Sequence, residues 1–186
     1  MFQKTNNLPL VKPYLIAVQQ VNNPAVNLAY NELLIEEEDF KSLRDSIENF
    51  AQFDNIALAQ RLEKHELLEF RRVAAILYKK NRRWKQSINL SKKDKLFKDA
   101  METAAESKDA EMAEELLQFF IEIGRKDCFA AGLYICYDML RPDVVFELSW
   151  RHNLQNFAMP YMIQVIREYV SKVILVAIFD IVGGYS

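Results

Sequence analysis

Few side chains in this sequence could support catalysis or bind a metal ion. The stretch "HELLE", residues 65–69, begins like a zinc-protease motif, but Glu69 occupies the place of the second histidine that such a motif requires. The other histidine is His152, and neither histidine has a zinc-binding spacing to Cys128 or Cys136. We therefore predict no catalytic residue, no metal site and no cofactor, and we interpret "HELLE" as an exposed helix end.

Phosphate-binding and nucleophile motifs are also missing. The sequence contains no G-x-S-x-G elbow, P-loop or G-x-G-x-x-G, and its four glycines leave little scope for a loop that cradles phosphate. The acidic run at residues 36–39 fits a solvated helix start, where carboxylates are favourable against the helix dipole. We do not expect an enzyme.

Positive charge is concentrated in residues 70–98. This segment holds eleven Lys and Arg residues and one acid, Asp94, for a net charge of +10, whereas the rest of the chain carries −12. Within it, "KKNRRWKQ" places an indole among cations, and Trp and Arg are favoured at interface hot spots. The candidate partner-binding residues are Lys79, Lys80, Arg82, Arg83, Trp84 and Lys85.

Three interpretations of this segment remain open. An acidic helix with an aromatic anchor would complement both the charge and the indole. RNA would complement the charge, but the chain has no recognised RNA-binding motif and no strand-borne aromatic platform, so we expect no nucleic-acid partner. A helical-repeat module that uses the basic face at residues 71–98 to bind nucleic acid, or as a generic protein scaffold, is the alternative function. A solvated helix face explains part of the charge without any partner.

The elements that must position these residues are helical. Two of the four glycines are Gly183 and Gly184, so the 182 residues before them contain only Gly124 and Gly132, too few for the turns of a β-rich fold. Ala, Leu, Glu, Lys and Gln, which favour helices, dominate instead. The composition predicts an all-α fold.

Helix-start signals recur along the chain. Asn23-Pro24 and Arg141-Pro142 suit the first turn of a helix, residues 91–94 resemble a capping box, and residues 107–109 combine a cap with an acid. Breaks near Asn23, Phe53, Asn81, Ser107 and Arg141 are spaced by roughly thirty residues, each interval containing a weaker break. This spacing favours an α-solenoid of stacked helical hairpins; a compact helical bundle is the alternative.

The last predicted helix is apolar nearly all round. A terminal repeat normally has a polar outer face, so this helix either packs on an earlier one or contacts another copy of the chain. We predict the contact, and the candidate trimerisation residues are Phe157, Met159, Tyr161, Met162, Ile163, Val165, Ile166 and Tyr169.

The sequence also indicates a reducing, cytosolic environment. The two cysteines sit eight residues apart, too far to bridge along one helix, and the first residues lack the apolar core of a secretory signal. The apolar stretch "VILVAIFDIV" is ten residues long and contains Asp180, too short to span a membrane. We expect no direct membrane insertion.

Several long stretches together resemble one protein family. "FDNIALAQRLEKHELLEFRRVAA", "NRRWKQSINLSKKDKLFKDAME", "AAESKDAEMAEELLQFF" and "CYDMLRPDVVFELSWRHNLQNFAMPY" are similar to the C-terminal leg of clathrin heavy chains. The resemblance runs from about "LPLVKPYL" to "REYVSKV", some nine tenths of the chain.

The resemblance implies a structural coat protein. In this family three heavy chains join at a hub, the assembled trimers polymerise into cages around vesicles, and the proximal leg binds acidic light chains through a helical segment bearing Trp. It implies that residues 79–85 contact a light chain or a neighbouring leg, that the helix from Phe157 to Tyr169 lies at the trimerisation region, and that the chain works on coated pits and coated vesicles, on their cytoplasmic side.

The end of the sequence departs from the family pattern. After "SKV" the family continues with a charged helix and a tail that recruits the uncoating chaperone, whereas this chain reads "ILVAIFDIVGGYS". We accordingly divide the chain into a leg segment at residues 1–153, a trimerisation-type helix at 154–175 and a divergent apolar tail at 176–186.

Overall fold

The computed structural model describes the backbone of residues 8–50 and 52–183 and the side chains of residues 11–50 and 52–176. This part of the chain forms helices and turns and contains no strand, which confirms the all-α prediction. The helices are α1 (Leu8–Gln19), α2 (Pro24–Glu36), α3 (Phe40–Asn49), α4 (Asn55–Leu62), α5 (Leu68–Lys80), α6 (Trp84–Lys93), α7 (Phe97–Ser107), α8 (Ala110–Glu122), α9 (Lys126–Ile135), α10 (Pro142–Arg151) and α11 (Gln155–Gly183), with a 3-10 turn at Tyr137–Met139.

The chain divides into two compact units, Met1–Lys95 and Leu96–Ser186. In the first unit α1 packs on α2, α2 on α3, α4 on α5 and α5 on α6, and α3 also packs on α5. In the second unit α7 contacts α8 and α9, α8 contacts α10, and α9 contacts α11. Contacts between neighbouring helices and with the next helix but one, as α3 makes with α5 and α9 makes with α11, are typical of stacked helical hairpins.

The predicted repeat boundaries agree with the helix starts. Helices α2, α4, α6, α8 and α10 each begin within three residues of a predicted break. Asn23 is the N-cap of α2, where its side-chain oxygen accepts a hydrogen bond from the Ala25 amide at 2.9 Å and Pro24 opens the first turn. Pro142 likewise opens α10.

One predicted start is wrong. Residues 91–94 are not a capping box, because α6 continues through Lys93 and Ser91 is buried at 1 % exposure. The next helix begins at Phe97, after Leu96, which provides no side-chain cap. The sequence pattern that signals a cap therefore lies inside a helix, and the real start carries no such pattern.

The core of the first unit contains a buried network of hydrogen-bonded polar side chains among its aliphatic side chains. Gln19 in α1 donates to the Ser46 hydroxyl at 2.7 Å, and that hydroxyl donates to the Asn31 amide oxygen at 2.8 Å. All three side chains are less than 5 % exposed. Because buried polar groups are costly unless hydrogen-bonded, this hydrogen-bond network fixes how α1, α2 and α3 align.

The second unit is centred on aromatic and small side chains. Phe120 and Phe129 are fully buried, and Phe97 packs edge-on against Phe120 with ring centroids 5.5 Å apart. A Cβ atom at Gly132 would lie 2.8 Å from Leu117 Cδ2, so the absence of a side chain there lets α9 approach α8 closely.

Residues other than glycine make most of the left-handed turns between helices. In the described part of the chain, Gly124 has a positive φ, and so do Asn22, Glu38, Arg82, Lys95, Lys108 and Asn153. At four of these ends the backbone forms the six-to-one hydrogen bond of a Schellman motif: Asp39 to Leu34, Arg83 to Tyr78, Arg125 to Phe120 and Leu154 to Ser149. The scarcity of glycine therefore does not make positive-φ turns rare in the described part of the chain.

A left-handed lysine predicts a stabilising substitution. Lys108 ends α7 at φ +55°, a conformation that costs a residue with a Cβ about 1 kcal/mol or more. We expect Lys108→Gly to raise the free energy of unfolding by about 0.5–1 kcal/mol, as measured by urea denaturation. The control is Lys98→Gly at the other end of α7, where the same replacement meets helical backbone and should lower stability. A loss of stability at Lys108 would contradict the assigned turn.

Candidate partner-binding surfaces

The predicted partner-binding residues lie together at one turn. Helix α5 ends at Lys80, the chain reverses through Asn81 and Arg82, and α6 begins at Trp84. Arg82 has φ +57°, and the Arg83 amide donates to the Tyr78 carbonyl at 2.9 Å, which closes the turn. We call residues 79–85 the basic hairpin.

Most cations of the basic hairpin face solvent. Lys80, Arg82, Arg83 and Lys85 are exposed, whereas Lys79 is half-buried. Trp84, in the first turn of α6, is half-buried, so part of its indole remains open beside exposed cations. The structure thus brings the six predicted residues together on one compact, positively charged surface.

Internal contacts hold the basic hairpin in place. The Lys80 ammonium donates to the Ile47 carbonyl at 3.0 Å, in the last turn of α3, where a cation is favourable against the helix dipole. Beneath the turn, the Tyr78 hydroxyl donates to the Glu63 carboxylate at 2.6 Å. Burial and, next, this carboxylate raise the pKa of Tyr78 to about 12, so the phenol stays protonated. Lys80 therefore supports the fold as well as carrying surface charge.

The acid of the basic segment has a structural partner. Arg71 Nε donates to the Asp94 carboxylate, whose side chain is 7 % exposed, and lies 2.9–3.0 Å from its two oxygens. Arg71 also donates to the carbonyls of His65 and Glu66, so it joins the start of α5 to the end of α6. Hydrogen bonding to Asp94 raises the pKa of Arg71. Arg71 is thus committed to the fold and does not belong to the binding surface.

The predicted trimerisation residues fall on two faces of α11. Tyr161 is 2 % exposed and its hydroxyl donates to the Leu140 carbonyl at 3.3 Å, which places it inside the second unit. Met162 and Val165 are half-buried. The exposed members are Phe157, Met159, Ile163, Ile166 and Tyr169, at 40–61 % exposure.

An unbroken apolar stripe runs along the outer side of α11. Its members are Met159, Ile163, Ile166, Val170 and Val173, at 51 %, 45 %, 61 %, 52 % and 67 % exposure. They are separated by four, three, four and three residues, the spacing of the a and d positions of a coiled coil. We call these five residues the outer seam. Val170 and Val173 were absent from the sequence-based set, although this spacing could have identified them.

The other side chains that could support chemistry, those of His65 and the two cysteines, lie in a turn and in the protein interior. His65 lies in the turn before α5, where its Nδ1 accepts a hydrogen bond from the Leu67 amide at 3.1 Å. Cys128 and Cys136 are buried, and burial raises the pKa of the Cys136 thiol to about 11, which keeps it un-ionised. Among the described side chains, no group of three or more His, Cys, Asp or Glu residues could hold a metal ion.

Helix α11 is 29 residues long, the longest helix in the described part of the chain. None of the helices in the described part of the chain combines the length and the hydropathy that a bilayer span requires.

Known proteins resemble this chain along most of its length. A family model described as "Clathrin: Region in Clathrin and VPS" matches residues 1–128. The clathrin heavy chain of Drosophila melanogaster is 66 % identical over 172 residues, which is 92 % of this chain and 10 % of that protein. Clathrin heavy chain 2 of Homo sapiens is 63 % identical over 172 residues, and clathrin heavy chain 1 of Arabidopsis thaliana is 57 % identical over 173, with 92 % and 93 % of this chain covered and 10 % of each relative. The chain spans about a tenth of the length of these curated relatives.

Proposed function

This chain belongs to the clathrin heavy-chain family, and we propose that it serves as a structural segment of a clathrin coat, at the leg and the start of the hub. In this role it binds a clathrin light chain and other heavy chains and acts in vesicle-mediated transport, on the cytoplasmic side of coated pits and coated vesicles. The observation that carries the proposal is 66 % identity to a clathrin heavy chain over 92 % of this chain. The proposed role involves no catalysis.

The basic hairpin supports the proposed light-chain contact. Its exposed cations and the half-buried Trp84 offer charge and an aromatic anchor on one surface. The hydrogen bonds from Lys80 to Ile47 and from Tyr78 to Glu63 hold that surface in one conformation in the absence of a partner. Such preorganisation reduces the entropy lost on binding. An acidic amphipathic helix bearing Trp has the complementary chemistry.

The outer seam supports the proposed contact between heavy chains. Its five apolar side chains are at least 45 % exposed, and each Val, Ile or Met contributes about 1.5–3 kcal/mol when fully buried. In the same stretch, Gln164, Arg167 and Ser171 lie off the seam and are exposed. An apolar seam flanked by polar positions is what helices that associate through a and d residues require. We propose that three copies associate along this seam.

One titration separates the proposed partner from RNA, the second candidate for the basic surface. Fluorescence anisotropy would compare an acidic Trp-bearing light-chain helix with a single-stranded RNA, each at 50 and 200 mM salt. We expect the helix to bind with a modest loss at high salt, because apolar contacts with Trp84 contribute, and the RNA to bind weakly. Tight RNA binding that falls about 10³-fold or more over this salt range would overturn the light-chain assignment.

A further inference from the structure

Helix α10 carries two aromatic side chains on its outer face. Val145 and Ser149 are buried and face the interior of the second unit. The residues that follow them in the sequence, Phe146 and Trp150, are 55 % and 66 % exposed. The two rings lie edge-on, with their centroids 6.0 Å apart and their planes at 85°. Both rings are therefore largely outside the core and accessible to a partner.

These rings form the apolar walls of an open cleft of about 540 Å³. Glu147, Arg151 and Asn153 line the rest of the cleft. Helix α10 ends here: Asn153 has φ +54°, and its amide donates to the Trp150 carbonyl at 3.2 Å. The cleft is therefore built on a helix end whose backbone is already fixed, which reduces the entropy lost when a ligand binds.

The lining of the cleft suits a cation. The faces of aromatic rings carry negative charge density, and they attract a cation that lies within about 6 Å of the ring centre. Glu147 adds a carboxylate at the position next to Phe146. Asn153 adds an amide oxygen, which accepts hydrogen bonds. Aromatic walls with acceptor oxygens beside them match the chemistry of an ammonium or guanidinium group.

The Glu147 carboxylate already has one cationic partner. Arg151, one helical turn further on, donates to it, and both side chains are exposed. An ionised carboxylate has about four acceptor sites, so Glu147 can bind a second donor. Arg151 nevertheless repels an incoming cation. Removing the charge of Arg151 should therefore strengthen the binding of a cation in the cleft.

The charge of the second unit favours a basic partner. Leu96–Ser186 contains eight Lys and Arg residues and fourteen Asp and Glu residues, a net charge of −6, whereas Met1–Lys95 carries +4. The acidic unit attracts positively charged segments during encounter and repels acidic ones. Arginine suits the cleft better than lysine, because a planar guanidinium stacks on an aromatic face while its N–H groups donate to oxygens at the side.

We propose that the cleft between Phe146 and Trp150 binds an arginine side chain from a basic segment of a partner protein. The guanidinium stacks on the Trp150 ring and donates to the Glu147 carboxylate. The residues of the cleft belong neither to the basic hairpin, which suits an acidic partner, nor to the outer seam. The inference goes beyond the proposed coat role and does not depend on it.

Isothermal titration calorimetry with the full chain tests the proposal. The probe is a short peptide of Gly and Ser that carries two arginines, and it is compared with a matched peptide in which glutamines replace the arginines. We expect the arginine peptide to bind and the glutamine peptide to bind about tenfold more weakly or less. Trp150→Ala should lower the affinity for the arginine peptide about tenfold, because it removes the ring on which the guanidinium stacks. Trp150 is exposed, so the fold should tolerate the change.

Two further variants exclude unfolding as the explanation. Arg151→Gln removes the competing cation and should bind the arginine peptide about two- to fivefold more tightly than the parent, a gain that unfolding cannot produce. Tyr134→Ala removes another exposed aromatic ring of the same unit, outside the cleft, and should bind like the parent. No binding by the parent, equal binding of the glutamine peptide, or unchanged affinity in Trp150→Ala would each overturn the proposal. Weaker binding in Arg151→Gln, or an equal loss in Tyr134→Ala, would overturn it as well.

Discussion

The Ile166→Glu variant is expected to be monomeric at concentrations where the parent chain self-associates. Ile166 lies in the middle of the outer seam and is 61 % exposed, so its replacement removes a seam contact without opening the core. In an associated trimer the three introduced carboxylates would meet away from water, and an unpaired buried charge costs about 3–5 kcal/mol. The association constant should fall by more than about 100-fold.

The matched control is Ser171→Glu. Ser171 is an exposed residue of the same helix, one position beyond the seam residue Val170, and it receives the same charge. We expect this variant to associate like the parent, as measured by sedimentation equilibrium. If both variants associated normally, the seam would not be the interface; if both were monomeric, general charge rather than the seam would be responsible.

Trp84→Ala is expected to weaken binding of the acidic light-chain helix by about 30-fold, because Trp is among the residues whose truncation at an interface costs about 2 kcal/mol or more. The indole is half-buried beside exposed Arg82 and Arg83, which places it where a partner helix could desolvate it. The control is Trp150→Ala, which removes an indole that is 66 % exposed on the other unit. Isothermal titration calorimetry measures both affinities.

Arg82→Gly tests the same surface while excluding unfolding as the explanation. The substitution removes a cation but suits the positive φ of the turn, so stability should rise while affinity for the acidic helix falls about tenfold. Lys108→Gly also replaces a cation by glycine at a left-handed turn, but in the other unit, and it should leave the affinity for the acidic helix unchanged. Unchanged affinity in both Arg82→Gly and Trp84→Ala would remove the basic hairpin as the binding surface.

Helix starts could be predicted where the sequence carries the chemistry that forms them. Asn23 caps α2 through its own side chain, and Pro142 opens α10. The start at Phe97 could not be predicted, because its N-cap residue, Leu96, makes no side-chain hydrogen bond. There, packing rather than capping determines where the helix begins, as the burial of Ala100 and Met101 in the next turn indicates.

Glycine content predicted the fold class for a reason that is only partly correct. The chain does make left-handed turns, at Arg82 and Lys108 among others, and side chains with a Cβ occupy them. Schellman hydrogen bonds such as Arg83 to Tyr78 offset the steric cost. Glycine scarcity therefore argues against β-turns more strongly than against helix-ending turns, where the preceding helix already holds the backbone.

Composition predicted the charged candidate surface, but the division of α11 into a buried and an exposed face required the three-dimensional structure. Clustered charge around Trp84 predicted a compact basic surface, because residues adjacent in sequence at a tight turn remain adjacent in space. An apolar helix did not by itself reveal that Tyr161 faces inward while Val170 faces outward. The spacing of four and three residues identifies which residues share a face of α11. Contacts of α11 with α9 and α10 then decide which face is buried.

The oligomeric state of the chain, with and without an acidic Trp-bearing light-chain helix, tests the central claim most directly. Size-exclusion chromatography with light scattering over a concentration series would give the molar mass of each species. The proposed role predicts a trimer of the 186-residue chain that binds one light-chain helix per copy. A chain that remained monomeric at every concentration and bound no light-chain helix would contradict both proposed surfaces and leave only the helical-repeat fold.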